Sequence, residues 1–117
     1  MIEEYEEIKL AVESAGFHTT PMPIQEVGDR LVCAGRREPR GLCGNSFWIA
    51  TRRGRWYLGM WGLVWLYRFG SSANVAAFCV EYLQRNPSQL TRKVDDDLLA
   101  NYGLVRTTFE EFEGVGD

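Results

Sequence analysis

The stretch GNSFWIATRRGRWYLGMWGLVWLYRF, residues 44–69, decides the fold. It holds all four tryptophans, Trp48, Trp56, Trp61 and Trp65, together with Phe47, Tyr57, Tyr67 and Phe69. From Ser46 to Arg52 the side chains alternate, with Phe47, Ile49 and Thr51 facing one way and Trp48 and Ala50 the other. A period of two is that of a strand. Arg53-Gly54 suits a tight hairpin reversal, the glycine supplying a positive φ. The return strand, Arg55 to Met60, sets Trp56, Leu58 and Met60 on one face and Tyr57 and Gly59 on the other. Gly59 and Gly62 suggest a bulge or a second turn. Val64 to Phe69 predicts one more strand, with Trp65, Tyr67 and Phe69 together on one face.

On the N-terminal side, Arg30 to Arg36 reads as a strand, and the polar run REPRGLCG, residues 37–44, as a loop. Phe17 to Gly28 reads as a connector. Its Pro21 and Pro23 lack the N–H a central strand needs, although a short extended edge piece stays open. Residues 1–15 form an amphipathic helix in which Met1, Tyr5, Ile8, Val12 and Ala15 share a face, with Gly16 as its stop. On the C-terminal side, Ser71 or Ser72 caps a helix whose Val75, Phe78, Cys79, Tyr82 and Leu83 make a second apolar stripe. Asn86-Pro87 ends it. A short third helix runs from about Val94 to Tyr102, with Gly103 as its stop. The acidic tail from about residue 107 is expected to fray, while Phe109 and Phe112 offer it docking points. The expected order is α-β-β-β-(β)-α-α. It corresponds to an α+β two-layer sandwich in which helices cover one face of a three- to four-stranded antiparallel meander.

At 117 residues this is the size of one domain. Such a domain buries roughly two-thirds of its unfolded surface without needing a metal or disulfide. No segment has the apolar length of a membrane span. The acidic start, Glu3, Glu4, Glu6 and Glu7, is the opposite of a signal peptide's basic opening. With an odd count of three cysteines, these features predict a cytoplasmic protein. The net charge of −3 conceals a segregation. Residues 1–29 and 95–117 each carry seven acids against one base, whereas residues 30–55 carry seven arginines against one acid. Either the acidic ends lie over or beside a basic sheet and neutralise it, or an exposed dipolar surface steers a charged partner.

Catalytic and metal chemistry find little footing. Cys33 and Cys43 lack the paired spacing of a zinc site, and His18 is the only histidine. An enzyme would have to use His18 or Cys43, the latter in a basic, glycine-flanked setting that lowers a thiol pKa. Cys79 belongs to the core stripe. Asp95, Asp96 and Asp97 suit the first turn of a helix. No phosphate-binding glycine loop or other cofactor motif is present.

Binding is better supported. Tryptophan, tyrosine and arginine dominate interface hot spots, so Trp48, Arg52, Arg53, Arg55, Trp56, Trp61 and Trp65 are the residues expected to meet a protein partner or a second copy of the chain. The acidic helices are the other candidate contact. Arg52, Arg53, Arg55 and Arg68, alternating with Trp48, Trp56, Tyr57 and Trp65, suit single-stranded nucleic acid, against which stands a pI of about 5.2. A third reading places every tryptophan in the core.

In style, GNSFWIATRRGRWYLGMWG resembles the central hairpin of small acidic bacterial proteins grouped with toxin-immunity families. The α-β-β-β-α opening also resembles class-I type III secretion chaperones, which are acidic homodimers. Those chaperones place two more strands after the second helix, where this sequence offers a third helix. Both resemblances imply a non-enzymatic protein-binding domain.

Overall fold

A computed structural model of the chain describes residues 3–24, 28–38, 41–60, 66–85 and 94–114. Among them run α1 (Glu3–Ser14), β1 (His18–Ile24), β2 (Gly28–Glu38), β3 (Gly41–Arg52), β4 (Arg55–Met60) and β5 (Leu66–Arg68). A 3-10 turn (Ser72–Asn74), α2 (Val75–Arg85), α3 (Asp96–Asn101), β6 (Val105–Thr107) and α4 (Phe109–Glu113) follow. The six strands form one open antiparallel sheet in which each strand pairs with the next in the chain. The class is α+β, with a helix before the sheet and helices after its central strands.

The meander is longer than the three or four strands expected. Residues 18–24, read as a connector with a short extended edge piece left open, form a full strand that pairs with β2 through Pro21↔Leu31 and Pro23↔Asp29. β1 is an edge strand. Prolines two residues apart present their nitrogens to the same side, and at an edge that side needs no donor. Of residues 37–44, read as a loop, 37–38 continue β2 and 41–44 begin β3, with Arg37↔Leu42 and Glu38↔Gly41 paired, while residues 39–40 lie outside the described ones. Ladder pairing set by the core strands carries on through residues that show no strand alternation. β6 closes the other edge on β5. Gly59 is neither bulge nor turn, for it pairs regularly with Trp48 and with Leu66. Trp61, Gly62 and Trp65, the start of the strand expected from Val64, and the Asn86-Pro87 stop lie outside the described residues.

Alternation sorts the sheet into two faces as the sequence predicts. On the first, Cys33, Phe47, Ile49, Leu58 and Tyr67 meet the α1 stripe (Tyr5, Ile8, Val12) and the α2 stripe. Phe78 is the hub, with Phe47, Phe69 and Tyr102 edge-on at 6.0, 5.3 and 5.5 Å. Each such buried side chain contributes about 1.5–3 kcal/mol of transfer free energy. Tyr5 also has a polar role. Beyond Ile49, where the β2 ladder ends, the half-buried Thr51 N–H donates to the Tyr5 hydroxyl at 2.9 Å, which satisfies a donor the ladder leaves over.

The second face carries Val32, Trp48, Ala50, Tyr57 and Leu66, and α4 packs on it through Phe112. Helices therefore lie on both faces, and residues 107–114 are folded rather than frayed. The reason is local as well as tertiary. Thr108 accepts from the Glu111 N–H at 3.1 Å as an N-cap, and Gly114 ends the helix at φ 80°. Phe109 and Phe112, three apart, share one side of the helix.

Candidate functional site

The site grows from the β3–β4 turn. Arg53 and Gly54 both have positive φ, 53° and 77°, the type I′ geometry that matches strand twist. An arginine in this region is unfavourable by itself. Its guanidinium reaches across the second face and donates to the carbonyls of Glu111 and Phe112, the latter at 3.3 Å. Those carbonyls belong to the last turn of α4, where the Gly114 N–H also reaches the Glu111 carbonyl at 3.2 Å and acceptors outnumber the helix's own donors.

Two more arginines frame the Phe112 ring. Arg52 lies over it at 4.7 Å, and Arg30 lies 5.2 Å from it and 3.9 Å from the Trp48 ring. Such contacts gain strength when desolvated. Phe112 itself is fully buried, 5.1 Å from Tyr57 and 5.6 Å from Trp48. Arg52 Nη1 donates to the Thr51 carbonyl at 2.7 Å. Arg52 Nη2 and Arg30 Nε are buried and find no acceptor among the described residues. Burial, followed by the charge of Arg52, holds the Arg30 pKa below its ordinary value.

Glu111 completes the arrangement. Its carboxylate accepts from Arg68 at 2.7 Å and from the Tyr57 hydroxyl at 3.1 Å. Burial acts to raise its pKa, but hydrogen bonds with Thr107 and Tyr57 and the charges of Arg68 and Arg55 outweigh it and leave the pKa lowered. The Tyr57 pKa is raised, by burial first and then by its bond to Glu111. The acidic tail thus lies on the basic face of the sheet.

The residues expected to meet a partner are distributed unevenly. Trp48 and Trp56 are 4% and 6% exposed and sit on opposite faces, so neither is the exposed sheet aromatic that was expected. Large rings at central strand positions fill both layers, so Trp48 and Trp56 are core residues. Arg52 is half-buried, and Arg53 and Arg55 are exposed. Trp61 and Trp65 lie outside the described residues.

The sheet separates His18 from Cys43. β2 lies between their strands, and His18 is in register with Ala34 and so with Ser46. At about 4.8 Å per strand spacing their backbones are roughly 10 Å apart before the register offset is added. The side chain of Cys43 lies outside the described ones. Cys33 and Cys79 are buried free thiols, and burial, with the neighbouring Cys33, pushes the Cys79 pKa well up. A buried thiol with a raised pKa is a poor nucleophile. Among the described residues no three His, Cys, Asp or Glu side chains are placed to hold a metal. None of the described helices is long and apolar enough to cross a membrane.

Two other features were not foreseen. A groove of about 270 Å³ between α1 and the 3-10 turn is lined by Glu7, Ile8, Trp56, Ser72, Ala73 and Ala76. On the surface, Arg85 bridges Glu81 and Asp97 at 2.7 and 2.6 Å and ties α2 to α3. Sequence reasoning also missed Arg30 and Glu111, and it singled out Tyr57 and Arg68 only as contacts for nucleic acid. The legible signal was Thr108-x-x-Glu111 followed by Gly114, a capping pattern and a stop around two phenylalanines. Compared with family models, curated proteins and solved structures, the chain matches none of them.

Proposed function

We propose that the chain is a non-enzymatic protein-binding domain, immunity-like or chaperone-like, that works through the arginine- and aromatic-bearing second face of its sheet. One observation supports this reading. That face holds a short acidic helix by the devices interfaces use, namely an aromatic anchor in a desolvated pocket, arginines stacked on it and a charge-paired carboxylate. The exposed Arg53 and Arg55 at the hairpin continue the surface outward. Single-stranded nucleic acid, the alternative for the same arginines, needs exposed rings to stack on, and Trp48 and Trp56 do not supply them.

The test mixes the purified chain with the product of the adjacent gene. Co-elution as a stoichiometric complex is expected, lost in Arg53→Glu/Arg55→Glu while circular dichroism stays unchanged. No co-elution, with the neighbour's activity unaltered, would overturn the reading. Salt-sensitive binding of an oligothymidylate would replace it with the nucleic-acid alternative.

A further inference from the structure

We infer that α4 is a built-in stand-in ligand, displaced from its groove by an acidic helical segment of a partner protein that carries two aromatic residues one turn apart. The groove is framed by Arg30, Trp48, Arg52, Arg53, Tyr57 and Arg68. This rests on the reading of the second face as a protein-binding surface and names what that surface recognises.

Three observations carry it. First, the occupant defines the chemistry. Phe112 fills the aromatic pocket, Glu111 pairs with Arg68 and Tyr57, and the helix-end carbonyls accept from Arg53. Second, α4 is five residues long and joined to β6 by Thr108 alone. A helix of that length, even with its Thr108 cap, has little stability of its own, so its contacts in the groove hold it in place. Third, the fit is incomplete. Arg30 Nε and Arg52 Nη2, buried beside the Phe112 and Trp48 rings, have no acceptor among the described residues. Glu110 and Glu113 are exposed. A segment that brings a carboxylate to those two donors makes charge-assisted hydrogen bonds that α4 does not. Against this stands the advantage of attachment, an effective concentration on the order of millimolar for a short tether. The groove is therefore closed to weak ligands and open to a better-matched one.

The experiment uses the full ¹⁵N-labelled chain and two synthetic peptides, TTFEEFEG, the sequence of residues 107–114, and its charge-reversed form TTFKKFKG. In Glu111→Lys the chain's own helix sets a lysine against Arg68 and leaves the groove residues untouched. Loss of Phe112–Trp48 cross-peaks is expected with the sheet amides in place. TTFEEFEG should then shift the Trp48 indole and Tyr57 signals at concentrations about tenfold lower than in the wild-type chain, and TTFKKFKG should not. Glu111→Gln, a milder change, should give an intermediate response and keeps the test valid if the lysine variant folds poorly. Three results would overturn the inference: no shift with TTFEEFEG once α4 is undocked, equal shifts with both peptides, or Phe112–Trp48 contacts that persist in Glu111→Lys. Loss of peptide binding with intact co-elution of the neighbour's product would remove the stand-in role alone and leave the protein-binding reading standing.

Discussion

The indole of Trp48 occupies the space that any side chain at residue 59 would need. A Cβ on Gly59 would lie 1.9 Å from Trp48 Cε2 and 2.0 Å from Cζ2, and the two residues are paired across β3 and β4. Glycine stands here to let an aromatic ring lie on the backbone of the next strand. Gly59→Ala is therefore expected to destabilise the protein by about 2–3 kcal/mol, the upper range for overpacking. Urea denaturation at constant m measures it. In Gly59→Ala/Trp48→Leu the combined loss should fall well short of the sum of the single losses, because the clash is shared.

Phe112→Ala removes the side chain that joins α4 to the second face. A loss of about 3 kcal/mol is expected for a buried phenylalanine, concentrated in α4. Trp48 becomes hydrated and its emission shifts to the red. The first-face core around Phe78 should still unfold cooperatively. A blue-shifted, unchanged spectrum would count against α4 as the cover of Trp48.

Arg53→Gly separates two effects that the native residue combines. Glycine tolerates the positive φ at this position, so the β3–β4 hairpin should keep or gain stability. The hydrogen bonds to the Glu111 and Phe112 carbonyls are lost. Hydrogen exchange is the readout, with faster exchange at the Phe112 and Gly114 amides, which bond within α4 at 3.1 and 3.0 Å. The amides of the hairpin ladder should exchange no faster than before.

Docking of α4 should depend on pH through Glu111. Its folded pKa lies below the ordinary value. The stabilisation is therefore fully present above the unfolded pKa, about 4.3 for a glutamate, and is lost as the pH falls through the lowered folded value. Trp48 emission followed on acidification should report undocking below about pH 4, ahead of global unfolding. Glu111→Gln should abolish that early phase and leave α4 more weakly held at neutral pH.

Tyr5→Phe leaves the half-buried Thr51 N–H without its acceptor. A cost of about 1 kcal/mol is expected, with the Tyr5–Trp56 edge contact at 5.4 Å retained. Matching stabilities of the two chains in urea would show that another group satisfies this donor.

The readable parts were those in which neighbours along the chain carry the information. Phe47 to Met60 alternates, so its two faces could be assigned before any partner was known, and Val75 to Leu83 shows its stripe just as plainly. Composition misled where pairing came from elsewhere. Pro21 and Pro23 argue against a central strand until the strand is known to be an edge, and residues 37–38 and 41–44 look like loop until their pairing is seen. The candidate site was legible only in part. Arg52, Arg53 and Arg55 stood out, but their occupant is a helix whose contacts span 58 and 59 positions.

By itself, then, the sequence determined the hairpin, the two faces of its strands and the helices that cover the first face. Backbone period and φ preference are local properties, and they act wherever the segment ends up. The alternation and the Arg53-Gly54 turn already marked the aromatic band as chiefly scaffold, but only the tertiary structure decided that Trp48 and Trp56 are buried on opposite faces and that Arg53 at the turn holds α4. Those outcomes depend on which distant surfaces meet. An acidic helix with two phenylalanines is unstable alone, and it folds where Trp48, Tyr57 and Arg68 are brought together to receive it.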